Sequence, residues 1–366
     1  MNIAVGMSGG VDSSVTAYLL KNQGHTVTGV MMKIWRGDAS SMMMKGNACY
    51  GPDEEHDIQT AQQVCSQIGI PLHIIDCSSE YEKIVLDYFR EEYLAGKTPN
   101  PCIRCNQLVK FGVLPEVFRN SGIAFDKFAT GHYARIEQDP TTGRFLLKKA
   151  ADAHKDQTYF LYRLSQNQLA TAMFPLGTYN KEEVRQIARD ANLHVHDKKE
   201  SQDFYSGDYD DIVGNGPKPG DIVDKDGKVL GHHQGIWRYT IGQRRGLGIS
   251  HPEPLYVIAI DPKKNRVVVG TEKETYKETC IVKNCNWMSI ETLTEPMTVQ
   301  VKVRSTSRPV TATIEPIEKA THQTDDKNDV IRVQLHHSIS SITPGQSAVF
   351  YDNDTVVGGG IIQKAK

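Results

Sequence analysis

Over the first two hundred residues, short apolar runs of strand character alternate with segments of helical spacing, and this rhythm constrains the chain more than any other feature. Ile3 to Gly6 predicts a strand, and Asp12 to Gln23 a helix with Gly24 as its C′ residue. Val27 to Met32 predicts the next strand. Asp53 stands where a cap is needed for a helix with Ile58, Ala61, Cys65 and Ile68 at helical spacing, closed by Gly69 and Pro71. Leu72 to Ile75 is again strand-like, and Ser79 with Glu82 predicts a capping box for a helix running to Gly96. Another helix is expected after Cys105, and Phe125 to Thr130 a strand leading into Gly131 and His132. Parallel strands need a long crossover, usually a helix, so this order implies a parallel sheet with helices on both faces. Such sheets bind ligands at the carboxyl ends of their strands. The loop after the first strand is the first place to look for chemistry.

Near residue 206 the character changes. Gly207 to Gly220 holds four glycines and two prolines, the composition of a linker or loop. Beyond it, Asp226-Gly227 between Ile222-Val223 and Val229-Leu230 predicts a hairpin. From about Thr279, apolar residues alternate with polar ones at Val299, Val301 and Val303, at Ala312 and Ile314, and at Ile331, Val333 and Leu335. Period-two alternation marks half-buried antiparallel strands. The expected organisation is a catalytic α/β domain over 1–206, a small β-rich domain over 207–277, and a C-terminal β-barrel over 278–366.

Composition bounds the rest. Lys and Arg number 42 against 44 Asp and Glu among 366 residues, so a nucleic-acid partner must be met by a local patch rather than a global field. No apolar run reaches the roughly 18 residues of a membrane span, and Met-Asn-Ile-Ala-Val-Gly is no signal leader. Seven cysteines, an odd count, argue against a disulfide framework. A cytoplasmic protein without a membrane partner is expected, as a monomer or weak dimer.

Ser8-Gly9-Gly10-Val11-Asp12-Ser13 fills the loop after the first strand and opens the first helix. Adjacent glycines let backbone N–H groups converge, the serines add hydroxyl donors, and the helix N-terminus adds positive potential. An anion is thereby held without a lysine. A plain glycine turn is the bland alternative, which the whole string at this junction outweighs. The one Walker-like fragment, Gly96-Lys97-Thr98, follows a helix and has Glu91 where a glycine is required, so it is set aside. The string resembles the PP-loop of ATP pyrophosphatases, which cleave ATP between the α and β phosphates and adenylate a substrate oxygen. That resemblance implies ATP contacts from Gly6, Met7, Ser8, Gly9, Gly10, Val11, Asp12 and Ser13, with Asp12 helping to hold Mg²⁺ on the leaving pyrophosphate. It also implies Met32 near the adenine; without it, Met32 reads as core.

The second informative stretch is Thr98-Pro99-Asn100-Pro101-Cys102-Ile103-Arg104-Cys105-Asn106. Cys105 just before a helix, beside Arg104 and upstream of Lys110, is expected to favour thiolate. One CxxC cannot complete a four-cysteine zinc site. Cys65 and Cys77 read as core, and Cys280 and Cys285 as structural parts of the distal β region. Cys49, in a loop expected to be mobile around Ser40 to Cys49, could join Cys102 and Cys105 as three ligands of an iron–sulfur cluster with one open iron.

Further segments follow in order: Ala129-Thr130-Gly131-His132-Tyr133-Ala134-Arg135, Lys155-Asp156-Gln157-Thr158-Tyr159-Phe160-Leu161, Thr240 to Gly248, and Thr343-Pro344-Gly345-Gln346. The ordered set, across nearly the full length, resembles the tRNA-specific 2-thiouridylases of the MnmA/TrmU family. That resemblance implies a PP-loop domain, a small central domain and a C-terminal barrel, using ATP and Mg²⁺. The implied reaction adenylates the 2-carbonyl oxygen of a tRNA wobble uridine, then replaces that oxygen with sulfur and releases AMP. The implied partners are tRNA and a sulfur-donor protein or inorganic sulfide. Cys105 matches the nucleophile, Asn100, Pro101 and Cys102 the segment that meets the target base, and Gly131 an ATP contact. His132, Lys155, Asp156, Gln157, Arg304, Ser305 and Gln346 match tRNA contacts.

One departure matters. Many members carry a second catalytic cysteine in a Lys-x-x-Ser-x-x-x-Cys-Phe segment; the chain reads Lys198 to Ser206 with Tyr205 at that position. Either Cys102 partners Cys105, or Cys49, Cys102 and Cys105 hold a [4Fe-4S] cluster whose open iron binds sulfide. The cluster is favoured, because CxxC spacing suits shared ligation and Cys49 is otherwise unexplained. The pairs His232-His233 and His336-His337 point to opposite strand faces and assign no metal site. Two other readings compete: a PP-loop synthetase forming an amide or amidine on a small molecule, and a degenerate tRNA-binding paralogue.

Overall fold

A computed structural model of the chain describes residues 1–37, 48–200, 203–205, 207–214, 216–317 and 330–366. Most of the Ser40 to Cys49 loop lies outside the described residues. Two compact units form, one from 1–85, 101–207 and 354–356, the other from 86–100, 208–353 and 357–366.

In the first unit, strand β1 (Asn2–Gly6), helix α1 (Val11–Asn22), strand β2 (Thr26–Lys33), short strand β3 (Ala48–Tyr50), helix α2 (Glu54–Ile68), strand β4 (Leu72–Asp76) and strand β5 (Lys127–Thr130) follow the expected alternation. The main sheet is wholly parallel, in the order β4–β2–β1–β5 and then Ala172–Met173. β1 lies at its centre with Ile3, Ala4 and Val5 buried, as an apolar run covered on both faces requires. Val15, Ala17 and Leu20 of α1 pack with Ile58, Ala61, Val64 and Cys65 of α2 in one core, which Val184 and Ala188 of the helix Lys181–Asp190 join. Gly69 ends α2 in the left-handed region.

Two helix starts differ from expectation. The Asp76 carboxylate accepts from the Ser78 N–H (2.9 Å) and hydroxyl (2.6 Å), so that helix opens at Ser78 rather than through a Ser79–Glu82 box. The helix expected after Cys105 already begins at Pro101, whose fixed φ suits a first helical position. It runs as Pro101–Arg104, a π-helical stretch over Cys105–Val113, and Leu114–Asn120.

In the second unit, the stretch read as a linker contains a short helix, Tyr209–Val213, whose first turn Asp208 caps. Gly220–Val223 and Val229–His233 form the expected hairpin, with Gly227 at φ +88° in its turn. They join Arg266–Gly270 and Tyr256–Asp261 in a four-stranded sheet. Six strands then follow the order 276–287, 331–340, 310–316, 297–302, 347–352 and 355–365, and the last pairs with the first to close a barrel. Val299, Val301, Val303, Ala312, Ile314, Ile331, Val333 and Leu335 all face its core. Among the described residues no helix is long and apolar enough to cross a membrane.

Candidate functional site

β1 delivers the chain to the Ser8–Ser13 loop at the carboxyl edge of the sheet. Gly9 adopts φ +67°, and a Cβ there would lie 2.5 Å from the Asp57 carbonyl oxygen of α2. Gly131, just after β5, presses on the same loop: a Cβ would stand 2.8 Å from the Ser13 nitrogen. Both glycines are therefore dictated by close backbone approach. Ser13 Oγ accepts from the Ser8 N–H at 3.2 Å and donates to the Gly10 carbonyl. Gly10 caps α1 without a side-chain bond, which leaves the first N–H groups of the helix for an anion. Met32, half-buried, is the penultimate residue of the neighbouring strand β2.

Asp12, in the first turn of α1, is the centre of a charged cluster. Its carboxylate accepts from the Tyr133 hydroxyl at 2.9 Å and from Lys181 Nζ at 2.7 and 2.9 Å. Lys181 also meets Glu200 at 2.5 Å, and Glu200 meets Lys155 at 2.7 Å. An ammonium thus stands beside Asp12 where a hard divalent cation would find an oxygen ligand, so the residues fit Mg²⁺. Sequence reasoning missed Lys181, Glu200 and Tyr133. The available signal was Asn180 with Glu183 three residues on, a capping box that forms here and sets Lys181 at the first helical position.

The cysteines give a mixed outcome. Cys65, Cys77 and Cys280 are buried, as expected of core, and burial pushes their thiols up to about 11, 12 and 12. Cys105 does not behave as expected. Desolvation raises its thiol from an ordinary 9.0 to about 11, outweighing the opposing pull of Lys110. Two causes for a thiolate are missing: the helix N-terminus lies at Pro101, and Arg104 directs its Nε to the Ile84 carbonyl at 2.8 Å. Iodoacetamide labelling of Cys105 in metal-free protein is therefore expected to be slow at pH 7 and to climb between pH 9 and 11. The same sign makes the thiol contribute stability that is lost as pH rises through that window, because the unfolded thiol ionises first. Labelling that saturates below pH 8 would contradict this.

Cys49 is a strand residue, not a loop residue. β3 pairs in parallel with Asp203–Tyr205, setting Tyr50 opposite Tyr205. Tyr205 is buried in an aromatic cluster in which Tyr50 lies 6.1 Å from it, 6.1 Å from Phe204, 5.4 Å from Tyr81 and 4.7 Å from Trp35. Cys49 is exposed, yet surrounding protein raises its thiol while Lys110 lowers it. The buried Tyr81 phenol is raised well above its ordinary value, by desolvation and then by Cys105, Cys49 and Cys102. Those three thiols all act on the same phenol. Among the described residues, however, no three His, Cys, Asp or Glu side chains stand close enough to hold a metal ion.

Most of the residues matched to tRNA contacts are already engaged within the protein. His132 is enclosed between Phe111 and Phe174, bonds Thr130 at 2.7 Å, and burial drives its pKa well below the ordinary value. The Gln157 side chain accepts from the Tyr133 N–H, and Asp156 from the Ala150 N–H and Thr158 hydroxyl. In the second unit, Arg304 donates to the Ile241 carbonyl (2.7 Å) and to Thr343. Gln346 donates to the Thr98 and Pro99 carbonyls, holding the strap that leads to Asn100. Ser305 is half-buried beside Arg304.

A parallel sheet whose first strand ends in Ser-Gly-Gly-Val-Asp-Ser, under an uncapped helix N-terminus, defines a nucleotide-binding α/β protein with two β-rich additions. Residues 1–205 match the family model described as the tRNA methyl transferase HUP domain, 213–271 its PRC-barrel domain, and 277–362 the aminomethyltransferase β-barrel domain. The tRNA-specific 2-thiouridylase MnmA of Endomicrobium trichonymphae is 48% identical over 365 residues, covering 99% of both chains. Its namesake from Clostridioides difficile (strain 630) is 44% identical, covering 99% of this chain and 98% of its own. The chain belongs to the MnmA family of tRNA-specific 2-thiouridylases.

Proposed function

We infer that this protein is an ATP-dependent tRNA-uridine 2-sulfurtransferase. The observation that carries the reading is the joint presence of an open PP-loop site around Asp12 and a separate set of thiols at Cys105, Cys102 and Cys49. A synthetase forming an amide would use the first and leave the second without purpose.

ATP would bind with its phosphates on the Ser8–Ser13 loop and the α1 N-terminus, and Asp12 would hold the Mg²⁺, whose charge would neutralise the leaving pyrophosphate. A uridine carbonyl oxygen is a very poor leaving group; transferred to the α-phosphate it departs as AMP. Asn100, Pro101 and Cys102 meet the target base, and Cys105 delivers sulfur to C2. His132, Lys155, Asp156, Gln157, Arg304, Ser305 and Gln346 contribute to the tRNA surface, directly or through the hydrogen bonds that position their neighbours. A sulfur-donor protein or inorganic sulfide supplies the sulfur.

Tyr205 removes the usual two-cysteine relay, so Cys49 and Cys102 are the remaining partners of Cys105. All three act electrostatically on the Tyr81 phenol, and a [4Fe-4S] cluster would require the three thiols to close up on the metal. Comparing iron-reconstituted with iron-stripped protein tests this. Both forms receive ATP, Mg²⁺, sulfide and unmodified tRNA under anaerobic conditions, with 2-thiouridine read by nucleoside mass spectrometry. Thiolation confined to the iron-loaded form is the expected result. Equal thiolation in both shows that sulfide attacks the adenylated C2 without iron and overturns the cluster, and none in either overturns inorganic sulfide as the donor.

A further inference from the structure

The PP-loop has no lysine of its own. A Walker loop places one on the β and γ phosphates, whereas Ser8 to Ser13 offers only backbone, hydroxyls and Asp12. The tertiary structure brings a lysine from 169 positions downstream. Lys181 Nζ reaches both Asp12 oxygens, at 2.7 and 2.9 Å, with its side chain 13% exposed, and lies 5.8 Å from the Tyr133 ring centre. Its backbone is fixed at the start of a ten-residue helix by the Asn180–Glu183 box, and its N–H donates to Asp152 at 3.2 Å.

Lys181 serves two carboxylates, Asp12 and Glu200, and Glu200 is shared with Lys155. The result is a string of alternating charge, Asp12–Lys181–Glu200–Lys155. A structural ion pair needs no second carboxylate. Two acceptors on one ammonium give it a place to remain when one acceptor is taken. If Mg²⁺ occupies Asp12, the metal repels Lys181, Glu200 keeps it beside the loop, and the nearest new negative charge is the phosphate tail.

We propose that Lys181 is the cation that receives the leaving pyrophosphate, pairing with Asp12 in the free site and with the β-phosphate once magnesium takes Asp12. The proposal rests on the adenylation reading above. In that step the uridine O2 forms a bond to the α-phosphorus while the bond from the α-phosphorus to the α–β bridging oxygen breaks. That oxygen departs with the electron pair, and the uridine N3 proton is lost to solvent. Charge grows on the departing oxygen, and a fixed ammonium there stabilises the transition state more than the ground state.

The test is the binding of inorganic pyrophosphate with Mg²⁺ to the full chain by titration calorimetry, which needs neither tRNA nor sulfur. Lys181→Met is expected to weaken binding at least tenfold and Lys181→Arg, which keeps the charge, less than threefold. Single-turnover AMP formation in Lys181→Met is expected to fall at least a hundredfold. A merely structural pair would lower the melting temperature and leave pyrophosphate affinity of the folded protein unchanged, and that result overturns the proposal. Should Lys181→Met not fold, a crystal structure of the wild-type chain with magnesium pyrophosphate decides: Nζ bonded to a phosphate oxygen supports it, and Nζ still on Asp12 overturns it. Because pyrophosphate binding is read without thiolation, wild-type binding through Lys181 stands even if no 2-thiouridine is ever formed.

Discussion

Cys105→Ser protein is expected to keep forming AMP from ATP in the presence of tRNA while its 2-thiouridine yield falls at least ~10³-fold, the loss typical when a covalent nucleophile is removed. Serine nearly matches cysteine in volume, so the helix Pro101–Arg104 and the turns after it should persist. What disappears is the only atom at that position able to bear a transferable sulfur or to bind iron. The proposed ATP site uses different elements, the loop after β1 and the cluster around Asp12. Separate AMP and nucleoside assays on one preparation read the two halves. Loss of both activities would make Cys105 structural, and retention of both would show that sulfur does not pass through Cys105.

Gly9→Ala is expected to reduce ATP affinity at least ~100-fold by calorimetry, whereas Gly10→Ala should change it only a few-fold. In the string Ser-Gly-Gly the two glycines look equivalent, but their surroundings differ. Gly9 holds φ +67°, which costs an alanine about 1 kcal/mol or more, and its Cβ would lie 2.5 Å from a backbone oxygen of α2. Relief requires the loop or α2 to move, and either shift turns the N–H groups away from the phosphates. Gly10 has an extended backbone and only the movable Ser8 Oγ, at 3.4 Å, near its Cβ position. Equal losses in the two variants would mean that loop flexibility, not this contact, sets affinity.

Much of the first unit is legible because its signals are local. The apolar run Ile3 to Val5 and the helical spacing of Ile58, Ala61, Cys65 and Ile68 each specify an element within a few residues. The helix containing Cys105 was harder to place. Its start depends on Pro101 acting as a first helical residue rather than as a breaker, and proline serves both roles. The state of Cys105 was misjudged for a related reason. Arg104 and Lys110 are visible in the sequence, but the desolvation that outweighs them comes from chain packed around the thiol. Cys49 looked like a loop residue because its strand partner, Asp203–Tyr205, lies about 155 residues away and carries no pairing signal of its own.

The sequence by itself determined the alternating architecture, the glycine loop between the first strand and helix, and the alternation that closes the distal barrel. Each depends on residue type at short spacing, which the chain carries in one dimension. Only the tertiary structure decided that Lys181 stands on Asp12, that Gly9 and Gly131 are pinned by neighbouring backbone, and that Gln346 and Arg304 brace other segments of their own unit. Those facts depend on electrostatics and steric contact between residues up to 248 positions apart, and such distances close only when the sheets and helices have packed.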